Sequence, residues 1–141
     1  KQALTVVGNV GAGADDLQSV TLEADTLYKN GQCLRIMAVG RCGANANDKT
    51  VILSFGGTTI LTTGAVAAND KRWVIEALVW RTAADVQVAM AWGTFNDAEI
   101  AVTRTALTKD DGSDQIIKCT GEATTTDDIQ QDLLTVEVLT V

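Results

Sequence analysis

Apolar residues return at every second position along most of this chain, a pattern that buries one side of an extended strand and cannot bury one side of a helix. In 33–42, Leu34, Ile36, Ala38 and Cys42 fall on one face, and Arg35 and Arg41 fall on the other. Val51, Leu53 and Phe55 alternate next, then Trp73, Ile75, Ala77 and Val79. Val86, Val88, Met90 and Trp92 follow the same rule, and Leu134, Val136 and Val138 complete it. No longer window carries a 3.6-residue apolar stripe. The pattern predicts an all-β protein of half-buried antiparallel strands, and abundant Thr, Val and Ile suit such pleated surfaces.

Clusters of Gly, Asn and Asp at 8–16, 30–31, 43–48, 56–57, 67–70, 96–97, 110–114 and 124–128 separate the runs. Proline is absent from all 141 residues, so these clusters must make the turns. Asn30-Gly31 is the strongest single signal, because both residues tolerate a positive φ. Eight to ten strands are predicted, over 3–7, 17–23, 32–42, 49–55, 58–62, 71–82, 85–95, 99–108, 114–121 and 132–140. That number of short strands, with neither linker nor repeat, predicts one domain over 1–141, a jelly-roll-like antiparallel β-sandwich. An immunoglobulin domain would have fewer strands and a Cys…Trp…Cys core.

The chain has no histidine, which excludes a His-based triad, a His general base and a His-containing zinc site. Serine occurs only at Ser19, Ser54 and Ser113, with no local base to activate it. The expectation is a protein that is not an enzyme, with no catalytic, cofactor-binding or metal-ligating residue assigned. The glycines at 8, 11 and 13 are spaced GxxGxG with no Lys-Ser/Thr after them, which reads as a turn and not a phosphate loop. Asp15-Asp16, Asp110-Asp111 with Asp114, and Asp127-Asp128 read as solvated turns, with weak Ca²⁺ binding as the alternative.

Cys33, Cys42 and Cys119 show no CxxC spacing. Cys33 and Cys42 bracket one predicted strand, about 30 Å apart and on opposite faces, so they are not expected to bridge. All three read as reduced thiols acting as small hydrophobes, in keeping with assembly in a reducing cytoplasm. Lys118 precedes Cys119, but strand neighbours point to opposite faces and the lysine would not activate the thiol.

With 11 Lys+Arg against 18 Asp+Glu, the net charge is −7, and no basic run offers a phosphate-binding patch. No nucleic-acid partner is expected. No membrane partner is expected either, since no stretch approaches 18 apolar residues. Residues 1–5 lack the apolar core of a signal peptide and an initiator Met, so a processed or partial chain is expected.

The predicted strand over 71–82 is apolar on both faces. Trp73, Ile75, Ala77 and Val79 form one, while Val74, Leu78 and Trp80 form the other with Arg72 and Glu76. Burial on two sides within the domain, a subunit or capsid interface, and a sugar-stacking Trp are the three readings. Trp92 is expected in the core. Residues 1–7 read either as the first strand of the chain's own sandwich or as a segment that pairs with a neighbour's sheet edge. Leu4, Val6, Arg72, Leu78 and Trp80 are therefore the candidate protein-interface residues.

Two stretches carry a resemblance. Val20-Thr21-Leu22-Glu23-Ala24-Asp25-Thr26-Leu27, then Asn30-Gly31 and the strand 34–40, resembles a recurrent pattern in small β-sandwich proteins of tailed-bacteriophage virions. The closing stretch, Thr120-Gly121-Glu122-Ala123 through Asp127-Asp128-Ile129 to 134–138, is similar to the terminal strand pair of the same group. The resemblance implies a capsid decoration or cement protein on the outer shell, with the major capsid protein as partner and a homodimer or homotrimer as its form. Related sandwiches in tail fibres imply the alternative, a receptor- or glycan-binding module.

Overall fold

Two-residue turns with left-handed backbone make the tight hairpins. Gly56 and Gly57 both have positive φ (53° and 78°), and so do Asn96 and Asp97 (55° and 61°), as a type I′ turn demands. The first pair joins β5 (Asp48–Phe55) to β6 (Thr58–Thr62), and the second joins β9 (Val86–Phe95) to β10 (Ala98–Leu107). The computed structural model describes residues 1–139. Its remaining strands are β1 (Gln2–Ala3), β2 (Val7–Gly8), β3 (Gly13–Leu22), β4 (Cys33–Cys42), β7 (Val66–Ala67), β8 (Arg72–Ala83), β11 (Gln115–Ala123) and β12 (Ile129–Leu139). Residue 140 of the predicted last strand lies outside the described residues.

The strands form two antiparallel sheets. The larger, of seven strands, runs β1-β12-β4-β8-β9-β10, with β2 also on β12; the smaller, of five, runs β3-β11-β5-β6, with β7 on β5. The pairs β5–β6, β4–β8, β3–β11 and β1–β12 are nested in sequence, each enclosing the one before it. A long hairpin folded over itself in this way, with alternate pairs falling in alternate sheets, is a jelly roll. The β9–β10 hairpin is inserted between β8 and β11 and widens the larger sheet.

Alternation delivers the core. Leu34, Ile36 and Ala38 on β4 and Ile75, Ala77 and Val79 on β8 are fully buried against Val51, Leu53, Ile117 and Cys119 of the smaller sheet. Trp73 pairs with Gly40 across the β4–β8 register, and the glycine makes room for the indole. A Cβ at Gly40 would lie 2.4 Å from the Trp73 ring and 2.1 Å from the Gln130 carbonyl oxygen.

Several boundaries differ from the sequence reading. β3 begins at Gly13, within the cluster read as a turn, and β7 was not expected. The predicted strand over 3–7 is two short bridges to β12 interrupted at 4–6. The inward side of β9 is also the reverse of the expected one. Gln87, Ala89, Ala91 and Phe95 point in, while Val88, Met90 and Trp92 share the outward face with Trp80, Leu78 and Glu76, their partners on β8. Trp92 is therefore half-buried on the outside of the sandwich, because directly opposed residues share a face.

Gly40→Ala is expected to lower stability by about 2 kcal/mol through overpacking against Trp73 and a fixed carbonyl. A lower Tm with an unchanged strand signature in circular dichroism would meet this expectation; an unchanged Tm would refute the packing argument.

Candidate functional site

The outer face of the larger sheet is the most distinctive surface of the molecule. Its cross-strand rows are set by register: Cys33, Trp80, Val88 and Ala106; then Arg35, Leu78, Met90 and Arg104; then Met37, Glu76 and Trp92. Leu78, Trp80, Met90 and Trp92 are half-buried, Val86 and Val102 are exposed, and among the described residues no third layer covers them. A polar chain ties the surface together. Glu76 Oε1 accepts from Arg35 at 3.0 Å, and Glu76 Oε2 accepts from the Trp92 indole N–H at 3.2 Å. Beside Trp92 lies an open concavity of about 510 Å³, lined by Val74, Glu76, Thr94, Glu99 and Val102 among others.

The interface candidates fall in two places. Leu78 and Trp80 lie on this outer face, and Arg72 is exposed at its margin, beside Asp70 at 3.4 Å. The reading of β8 as buried on both sides is thus corrected, since its second face is open. Leu4 and Val6 are exposed, but the bridges at Gln2–Ala3 and Val7–Gly8 bind this segment to its own sheet. The Thr5 carbonyl also accepts from Gln18 Nε2 at 2.7 Å. The segment therefore belongs to its own sandwich, as two short strands on β12 and not as one continuous strand.

Two carboxylates read as solvated are instead hubs of the loops, Asp128 buried and Asp111 partly so. Asp111 accepts from Arg81 Nε at 2.6 Å, from the Asp85 N–H at 2.8 Å and from Gln87 Nε2 at 2.6 Å. Its side chain is 11% exposed and that of Arg81 13%. At the opposite end, Asp128 is 2% exposed and accepts from Asn47 Nδ2 and the Thr125 N–H, each at 3.0 Å, and from Asn45 Nδ2. Asn45 and Asn47 in turn hold the wholly buried Lys49, whose Nζ donates to Asn45 Oδ1 at 2.9 Å and to the Asn47 carbonyl at 3.0 Å. Burial by itself would raise both carboxyls. At Asp111 the Arg81, Asp85 and Gln87 donors reverse this, at Asp128 the Asn47, Asn45 and Thr125 donors do, and both carboxyls sit below the ordinary range.

Of the other clustered aspartates, Asp16 pairs with Lys118 at 2.7 Å and Asp15 accepts from the Val10 N–H at 2.8 Å. Asp110 accepts from the Gly112 N–H at 2.9 Å, and Asp114 from the Ala24 N–H at 2.9 Å. Among the described residues no group of three His, Cys, Asp or Glu side chains converges as a metal site would. All three cysteines are free. Burial pushes the Cys42 thiol up to about 11 and the Cys119 thiol up to about 12, so neither is an activated nucleophile. What the geometry offers is a surface: a rigid, partly apolar sheet face with loops pinned by buried ion and amide clusters.

Comparison with known proteins identifies no matching family model and no similar curated protein.

Asp111→Asn is expected to cost about 2 kcal/mol at neutral pH, because it removes the charged acceptor of the partly buried Arg81 guanidinium. The pH dependence follows from the lowered carboxyls. Their contribution is fully present above the unfolded carboxyl pKa of about 3.9 and is lost as pH falls through the lower folded values. Urea unfolding of the wild type should therefore give a plateau above about pH 5 and a decline below it. The decline should be shallower in Asp111→Asn. Equal acid sensitivity in the two proteins would remove Asp111 as a stabilising hub.

Proposed function

We propose that this protein is a non-enzymatic structural subunit of a phage virion, a decoration or cement protein that binds the outer capsid shell. The observation that carries the reading is the uncovered outer face of the larger sheet, where Leu78, Trp80, Met90 and Trp92 lie among charged residues. Aromatic and arginine side chains around an apolar centre are the composition of protein contact surfaces. The major capsid protein is the proposed partner. A shell offers many equivalent sites, so weak contacts repeated by a dimeric or trimeric subunit add up through avidity. The net charge of −7 disfavours contact with packaged nucleic acid and suits the outside of a particle.

A second reading, a receptor- or glycan-binding module of a tail fibre, is favoured by one observation. Trp92 lines a concavity together with Glu76 and Glu99, and an aromatic face beside carboxylates is a common way to hold a sugar ring.

Quantitative mass spectrometry of purified particles separates the two. Decoration predicts many copies per particle, lost on Trp80→Glu, with particles lacking the protein failing at lower temperature or under chelation. Equal resistance of particles with and without the protein would overturn the shell reading. Few copies at the tail, with glycan-array binding abolished by Trp92→Ala, would establish the alternative.

A further inference from the structure

β10 forms one edge of the larger sheet, and among the described residues no strand pairs with its outer side. An open edge invites pairing with another chain, and proteins usually guard it with Pro, with Lys or other charges, with a bulge, or by keeping it short. β10 has ten residues and neither Pro nor Lys, so a bulge and the charges of Glu99 and Arg104 are what mark this edge. Residues 98, 99, 101, 102, 104 and 106 are exposed. The edge is also firmly held from behind, because Thr103 Oγ1 donates to the Ile60 carbonyl of β6 at 2.6 Å.

The one irregularity of β10 is a bulge. Ile100 pairs with Gly93 and Thr103 with Ala91, so three steps along β10 match two along β9. In a regular strand, residues five apart face opposite ways. Here the extra residue puts Glu99, opposite Thr94, and Arg104, opposite Met90, on the same outward face. The two are about 15 Å apart along the strand and cannot reach each other. Among the described residues neither has an ion-pair partner.

We propose that the protein pairs with a second copy of itself along β10, the two edge strands running antiparallel about a two-fold axis that passes through the bulge at residues 101 and 102. In that register Glu99 of each copy faces Arg104 of the other, so both unpaired charges are matched twice. Ile100 then faces Thr103 and Ala98 faces Thr105, with each of these pairs on the inward side. Directly opposed residues of an antiparallel pair must share a face, so an odd offset such as this is available only because of the bulge. The interface is isologous, as a two-fold requires. It joins the two larger sheets into one continuous surface and sets Arg104 of the second copy at the Glu99 rim of the Trp92 concavity. The pairing does not depend on where the protein acts, so it stands or falls apart from the virion reading.

Sedimentation velocity of the purified chain over a wide concentration range tests it. A species of twice the 14.8 kDa chain mass is expected, weakened by high salt because exposed charges contribute. Glu99→Arg and Arg104→Glu, each setting like charges opposite one another twice, should each weaken dimerisation by about tenfold or more. The double charge swap should restore it. Both residues are exposed, so far-UV circular dichroism should not change in any variant, nor should Tm measured at concentrations where every variant is monomeric. A protein that stays monomeric, a dimer indifferent to either reversal, or a double swap that fails to recover would each overturn the proposal.

Discussion

The register between β4 and β8 is the constraint on which the rest of this structure depends. It sets Leu34 against Val79, Ile36 against Ala77, Ala38 against Ile75 and Gly40 against Trp73, a row of fully or nearly fully buried pairs facing the smaller sheet. Strand periodicity is two, so a slip of one residue would turn every one of these side chains outward. Once this pair is in place, each neighbouring strand inherits its inward side from direct opposition. β12 presents Leu134 and Val136 to the core through β4, and β9 presents Ala89 and Ala91 through β8. The outer face follows by the same rule, which is why Trp80, Leu78 and Trp92 gather on one surface.

The ends of the sandwich are held by a different interaction. Loops there have little apolar area to bury, and saturated carboxylates take that role. Asp111 joins the turn after β8 to the loop before β11, and Asp128 joins the loop between β4 and β5 to the one that leads into β12. Lys49, buried beneath Asn45 and Asn47, shows that a buried lysine is tolerated when its donors are met by oriented oxygens. With the ends secured in this way, the sheet face and the β10 edge are presented by a rigid frame, which suits a part that works by fitting against a neighbour.

Alternation made the strand content and the sandwich readable, because the burial of one strand face leaves a direct mark on the order of residues. The two-residue turns were readable too: Gly56-Gly57 and Asn96-Asp97 are residues that accept a positive φ. The side of β9 that faces the core was not. Both of its faces are apolar, Val88, Met90 and Trp92 on one and Ala89, Ala91 and Phe95 on the other, so its own pattern has no preference. The roles of Asp111 and Asp128 as hubs were also hidden, since an aspartate in a turn looks the same whether its oxygens meet water or three protein donors.

By itself, the sequence determined an all-β sandwich with turns made from Gly, Asn and Asp, and a chain with no histidine chemistry, because composition and period two act locally. Only the tertiary structure decided which apolar face stays uncovered, which carboxylates are buried, and that Glu99 and Arg104 share one side of an open edge. Those outcomes depend on the register between strands far apart in the chain and on a single extra residue in β10, and neither leaves a local trace.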